Sequence, residues 1–243
     1  MSSAWAALFS GGKDSSWALH RSQQSGKEVV RTVTARPRGD SYLFHTPATD
    51  ITSLLSRAAG IEHHAFPVDE VDEDTTDSES AGDAELAALE TALLSIDEEV
   101  TGGLDGVITG AVESRYQRDR IQQVCERYGY DCVSPLWQCN PRETLESMVS
   151  KGLDIRIVAV AADGLDESWL GRSIDTQALD DLFALVDSKR LHPMGEGGEY
   201  ETIVVDGPHL TQTLQFDATT QWDGVRGHLI IENAWLSPNS HHS

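Results

Sequence analysis

Ser10-Gly11-Gly12-Lys13-Asp14-Ser15 is the segment whose residue types and spacing speak most directly of chemistry. Two adjacent glycines let the backbone approach a ligand and adopt turns closed to other residues. A helix opening just after them would aim backbone N–H groups and its positive dipole end at an anion. Lys13 and the hydroxyls of Ser10, Ser15 and Ser16 add donors, and Asp14 could hold a metal ion or orient Lys13. Together these residues make a phosphate cradle. It is not a Walker A loop, because Asp14 stands after the lysine where that motif needs Ser or Thr. Nor does a G-x-G-x-x-G dinucleotide fingerprint occur. The bland alternative is a plain strand-to-helix turn.

Three further segments hold reactive side chains. Ser41–Pro47 contains His45, which is either a ligand contact or a satisfied structural histidine. Gly110–Arg120 contains Ser114, Tyr116, Gln117, Arg118 and Arg120. From Ala111 to Arg142 there are five arginines against four acids, a net +1 within a chain at −22. Arginine kept in such a background points to local anion work, Arg118 and Arg120 being the candidates. The alternative is helix-surface ion pairing with Asp119 and Glu126. Gly195–Thr202 packs Glu196, Glu199 and Glu201 around three glycines. A tight carboxylate-bearing loop suits a cation, although an acidic surface turn would look similar.

These residues need elements to position them. Strands are expected at Ala4–Phe9, Glu28–Ala35, Ile61–Val68 and Leu104–Thr109. Helices are expected at Ser15–Gln24, Thr49–Ala59, Ala84–Glu99 and Glu113–Arg127. Strand–helix alternation of this kind implies a Rossmann-like parallel sheet in an α/β fold, with helices on both faces. His45 and Gly110 would then lie at the C-terminal edge of the sheet, where such folds bind ligands. Asp69–Glu85, with nine acids and no base, is expected to be a solvated loop without the ordered spacing of a calcium site. After Pro135-Leu136-Trp137 the pattern changes. A helix at Asn140–Lys151, a strand at Asp154–Ala162, a helix at Thr176–Lys189 and a β-rich end (Thr202–Trp235) imply a smaller α+β domain. The boundary falls between residues 1–134 and 135–243.

Composition narrows the classes further. The 243 residues are 39% hydrophobic, enough for a folded core. No run approaches a membrane span, and the basic-free start Met1–Phe9 is not expected to be a signal peptide. The charge of −22 argues against nucleic-acid partners. Lysine is scarce, with 4 against 14 arginines, as in cytoplasmic proteins of high-salt, halophilic archaeal cells. Cys125, Cys132 and Cys139 are too few for a disulfide framework and lack zinc spacing, so buried reduced thiols are expected. The His241-His242 pair lies in a polar tail and gives no argument for a metal.

The hexapeptide resembles the SGGKDS pyrophosphate loop of the N-type ATP pyrophosphatases (HUP-type folds). Together with Ser41–Pro47, Gly110–Arg120, Pro135-Leu136-Trp137, Leu170-Gly171-Arg172 and the GEGGEYET octet, it resembles the diphthine–ammonia ligase family from residue 10 to about 208. That resemblance implies ATP-dependent amidation of diphthine, a modified histidine of translation elongation factor 2, to diphthamide with ammonium. The diphthine carboxylate would attack the α-phosphate, pyrophosphate would leave, and ammonia would displace AMP from the acyl-adenylate.

Under that resemblance ATP is held by Ser10, Gly11, Gly12, Lys13, Asp14, Ser15, Ser16, His45, Gly110, Ser114, Tyr116, Gln117 and Arg118. Mg2+ would bridge phosphate oxygens near Asp14. Lys13, Glu196, Glu199 and Glu201 would be catalytic: Lys13 on the phosphates, a glutamate as base for ammonium or as holder of a cation. Tyr200 would stack on the trimethylammonium group. No cysteine is placed to hydrolyse glutamine, so free ammonium is the expected nitrogen source. Two readings compete: another ATP pyrophosphatase, such as a tRNA-modifying enzyme, and a nucleotide sensor without chemistry. A homodimer is left open.

Overall fold

The structure is a computed structural model and describes residues 3–37, 51–68 and 78–239. The first half runs β1 (Ala4–Leu8), α1 (Lys13–Gln24), β2 (Glu28–Pro37), α2 (Ile51–Ala58), β3 (Glu62–Val68), α3 (Ser78–Glu99), β4 (Gly106–Ile108), α4 (Arg115–Tyr128) and β5 (Asp131–Val133). Its five strands are all parallel, in the order β3-β2-β1-β4-β5. The chain order reverses between β1 and β4. That switch point opens a crevice at the strands' C-terminal ends, and the Gly-rich loop after β1 lies in it.

Period-2 alternation along β1 gives the sheet two apolar faces. Trp5 and Ala7 pack with Trp17 and Leu19 of α1 and Leu55 of α2. Ala6 packs with Leu93 and Ile96 of α3 and Val124 and Cys125 of α4 on the other side. The architecture is therefore α/β with helices on both faces, as the alternation predicts.

The second half runs α5 (Pro141–Ser150), β6 (Asp154–Val160), α6 (Thr176–Ser188), β7 (Tyr200–Asp206), β8 (Gln212–Trp222) and β9 (Gly227–Pro238). Its antiparallel sheet has the order β7-β6-β9-β8. Asn140 caps α5 by accepting from the Arg142 and Glu143 N–H groups, with Pro141 inside the first turn. The core between α1, α2 and this second sheet is continuous: Ile155, Val204, Leu214 and Ile231 join the cluster that holds Trp5 and Leu55. The loop after β7 is stitched to the first half, Thr211 N–H and Oγ1 both donating to the Ala58 carbonyl at 2.8 Å. The same loop buries His209 beside His20 of α1, the ring centroids 6.1 Å apart, and neither His209 nitrogen has a hydrogen-bond partner among the described residues.

Three expectations change. Helix α3 begins at Ser78, so the last residues of the acidic segment are helical; acids at a helix N-terminus sit well with its positive dipole end. Strand β5 was not expected, because three residues are too short to show alternation. Only Cys125 is fully buried, while Cys132 and Cys139 are half-buried; all three are free thiols. His45 and the rest of Ser41–Pro47, the acidic residues 69–77 and the His241-His242 pair lie outside the described residues. Among the described residues no helix is long and apolar enough to cross a membrane.

Candidate active site

The loop after β1 is held from inside and from behind. Gly11 takes φ +77°, a left-handed conformation that favours glycine, and a Cβ there would meet Leu55 Cδ1 at 2.9 Å. Ser15 Oγ accepts from Ser10 N–H at 3.2 Å and lies 3.1 Å from Ser10 Oγ. Ser10 Oγ in turn accepts from Gly12 N–H at 3.4 Å. Gly12 caps α1 with no side-chain hydrogen bond, leaving its start to backbone N–H donors. Behind the helix start lies Gly110, where a Cβ would stand 2.9 Å from Ser15 N and 3.0 Å from the Asp14 carbonyl carbon. Only glycine allows the end of β4 to come this close.

Strand β7 clasps the same loop from the other half of the chain. Val204 N–H donates to the Gly11 carbonyl at 2.9 Å, and Lys13 N–H donates to Thr202 Oγ1 at 3.2 Å. Lys13 is buried, its Nζ 2.8 Å from Asp14 Oδ2 and 5.3 Å from the centre of the Tyr200 ring. Asp14 Oδ1 is buried without a hydrogen-bond partner among the described residues. Burial pushes the Tyr200 phenol well above its usual pKa, with help from the negative charges of Asp14, Glu199 and Glu196. It stays protonated and donates to the Pro193 carbonyl at 2.6 Å.

A cavity of about 480 Å³ opens over this loop. Its lining combines apolar side chains, among them Leu8, Val33, Phe66 and Leu89, with the polar Ser10, Asp14, Ser15, Thr109 and Glu196 of the loop and its neighbours. Such a mixed lining suits a ligand that carries both an apolar-faced base and phosphates. Tyr116 and Arg120 close the rim.

The octet's three carboxylates have separate fates. Glu196 borders the cavity, and its carboxyl pKa is raised by partial burial and by the charge of Asp14. The Glu113 backbone N–H works against that rise, favouring the charged carboxylate. Glu199 is turned inward instead: its oxygens accept from His192 N–H at 2.7 Å and Gly197 N–H at 2.8 Å, which ties the loop shut. Glu201 is exposed, and the alternation of β7 sends it to the face opposite Tyr200 and Thr202. Tyr200 is buried beneath Lys13, not presented to a substrate cation.

The remaining sequence candidates scatter. Ser16 is fully buried in α1, its hydroxyl without a partner, and does not line the cavity. Ser114 precedes α4, its carbonyl accepting Arg118 N–H at 3.1 Å, and Gln117 lies in the first turns of α4. Arg118 stacks over the Trp137 ring at 4.4 Å. Arg120 pairs with Asp83 of α3 and donates to Tyr116 Oη at 2.5 Å. The arginines of α4 that pair do so across to α3 (Arg120–Asp83, Arg127–Glu90), not with Asp119 or Glu126. Sequence reasoning missed Thr202 and Val204 as partners of the loop, and His192 as the anchor of the octet. Thr202 closes a motif that was in view, but nothing in its type announces a bond to a backbone 189 residues away.

The donor set fits magnesium presented on phosphate. Mg2+ commonly keeps one or two protein carboxylates, with substrate oxygens and water completing its shell. The open Asp14 Oδ1 supplies one, with Glu196 nearby. Among the described residues no cluster of three or more His, Cys, Asp or Glu forms a closed metal cage.

Residues 3–132 match the diphthamide synthase N-terminal domain model, and residues 140–236 match the diphthamide synthase C-terminal domain model. The chain belongs to the diphthamide synthase family. A diphthine–ammonia ligase of Danio rerio is 33% identical over 222 residues, covering 87% of this chain and 86% of that one. A diphthine–ammonia ligase of Schizosaccharomyces pombe is 34% identical over 212 residues, covering 83% of this chain. The chain spans about a third (34%) of that longer relative's length. Both relatives are by name ligases that form a C–N bond. A solved structure described as a predicted subunit of tRNA methyltransferase from Methanocaldococcus jannaschii overlaps with a TM-score of 0.47 at 18% identity, covering 85% of this chain and 98% of that one.

Proposed function

We propose that this chain is a diphthine–ammonia ligase. It uses ATP and ammonium to amidate diphthine on translation elongation factor 2, releasing AMP and pyrophosphate. The observation that carries the reading is the clasp of β7 on the phosphate loop, which brings the GEGGEYET octet and the SGGKDS loop into one site. Residues 1–134 bind the nucleotide, and residues 135–243 supply most of the acceptor side.

Ser10, Gly11, Gly12, Ser15 and the start of α1 hold the phosphates, and Lys13 offsets the charge that grows on them. A diphthine carboxylate oxygen attacks the α-phosphorus, the bond to the β-phosphate breaks, and pyrophosphate departs. Ammonium gives a proton to Glu196, whose raised pKa suits it as a base, and ammonia attacks the acyl carbon. The bond to AMP breaks, and the new amide nitrogen loses its remaining extra proton to solvent. Mg2+, held by Asp14, would supply charge neutralisation on the phosphate oxygens. Glu199 keeps the octet folded, so Glu196 is the glutamate of the three that acts.

Incubation with ATP, ammonium and diphthine-bearing factor should give AMP and the mass change of an amide. ADP as product, or an unchanged factor, would sink the reading, and AMP formed only with tRNA would move it to another pyrophosphatase. Lys13→Ala should lose at least about 100-fold in turnover while staying folded by circular dichroism.

A further inference from the structure

Next to the nucleotide cavity lies a second one of about 430 Å³, bordered by Glu113, Arg115, Trp137, Gln138, Asn140 and Pro141. Glu113 lines this second cavity, two residues along the chain from Ala111, which lines the first. Its carboxylate Oε1 lies 3.5 Å from Nε2 of His192, the residue whose N–H anchors the octet through Glu199.

The second cavity has a charge pattern of its own. Arg115 is exposed and has no carboxylate partner among the described residues, in a chain with more than two acids per base. Trp137 is half-buried, with one face covered by Arg118, which fixes the plane of the ring. Gln138 takes φ +56°, the one positive φ at a non-glycine among the described residues. Its N–H donates to the Val112 carbonyl at 3.0 Å, which holds it there. Backbone strain of that kind persists where the surroundings over-determine it, and it clusters at ligand sites.

We propose that this second cavity receives the reacting arm of diphthine, a betaine-type group with a quaternary ammonium beside a carboxylate; the proposal rests on the ligase reading above. The Glu113 carboxylate and the Trp137 ring hold the cation, which has no N–H and so is recognised by charge and π-face. The Arg115 guanidinium pairs with one carboxylate oxygen. The other oxygen is left free on the Ala111 side, towards the nucleotide cavity that Glu196 borders. This division also explains why Tyr200 is not needed for the cation.

Steady-state amidation tests the assignment. The wild type comes first: if it does not amidate the factor, the ligase reading itself falls, and this inference with it. If it does, Arg115→Ala and Glu113→Gln should each raise KM for the factor about 10-fold, the scale of one charge-assisted contact, with KM for ATP held within about twofold. Arg115→Lys should recover part of the loss. Glycine betaine, as a small probe, should compete with the factor and not with ATP, and more weakly in Arg115→Ala. Melting temperatures separate these effects from unfolding. The assignment is overturned by an unchanged factor KM in both variants, by a rise in KM for ATP instead, or by betaine that competes with ATP or inhibits nothing.

Discussion

Two side chains show how burial sets chemistry. Glu196 sits near Asp14 and is partly buried, so its carboxyl releases a proton later than a surface glutamate does. Under the proposed mechanism its carboxylate form is the active one, so turnover falls as pH drops through that raised pKa. Glu196→Gln should cost about 100-fold or more in kcat, keep ATP binding, and erase that acidic limb of the pH profile. A pH–rate curve of unchanged shape would refute the role. His209 tells the opposite story. Its ring, buried among apolar groups and beside His20, has a pKa lowered to about 3. The unfolded chain protonates this imidazole near pH 6.5, while the native one resists. This site's contribution is therefore complete above pH 6.5 and shrinks as pH falls towards 3, by about 2 kcal/mol at pH 5. His209→Leu should make the stability–pH slope shallower by one proton, as read from urea midpoints at pH 7 and pH 5.

At the scale of elements, the close approach of the β4 end to the start of α1 is the tightest tolerance. Gly110→Ala would place a methyl carbon 2.9 Å from Ser15 N, and a backbone, unlike a flexible side-chain tip, has little room to yield. We expect ATP affinity to fall by about 10-fold or more with the fold retained, measured by calorimetric titration. The alternation of strand and helix was legible from Ala4 to Arg127, because each apolar run is bounded by glycine or a charge change. Strand β5 was not, since three residues hold no period. The site was half legible. Ser10 to Ser15 announce their role by type and spacing, and Glu196 by its place among glycines. Nothing local told Glu196 from Glu199, because the difference is two backbone N–H groups that meet Glu199 only once the loop has closed. The surroundings of Arg118 and Arg120 were hidden for a related reason: their partners, Trp137 and Asp83, come from elsewhere in the chain.

For the molecule as a whole, the charge of −22 is a cost carried by the folded state. Several cations are committed to pairs, among them Lys13–Asp14, Arg31–Glu62, Arg142–Asp187 and Arg172–Asp181. The surplus acids repel one another across the surface. Salt shortens that repulsion to about 3 Å at 1 M. We therefore expect the melting temperature to rise from 0.1 M to 2 M KCl, and a flat or falling curve would remove the high-salt reading.

Strand β7 is the outermost strand of its sheet, and an outermost strand is normally a hazard because its unpaired N–H groups invite other chains. Here Val204 N–H on that open side is spent on the Gly11 carbonyl. The phosphate loop thus doubles as the guard of a sheet margin. Damage to the shape of that loop would bare the margin, so such variants should be lost to precipitation as well as to inactivity. Pressure to stay soluble and pressure to bind ATP then act on the same few atoms.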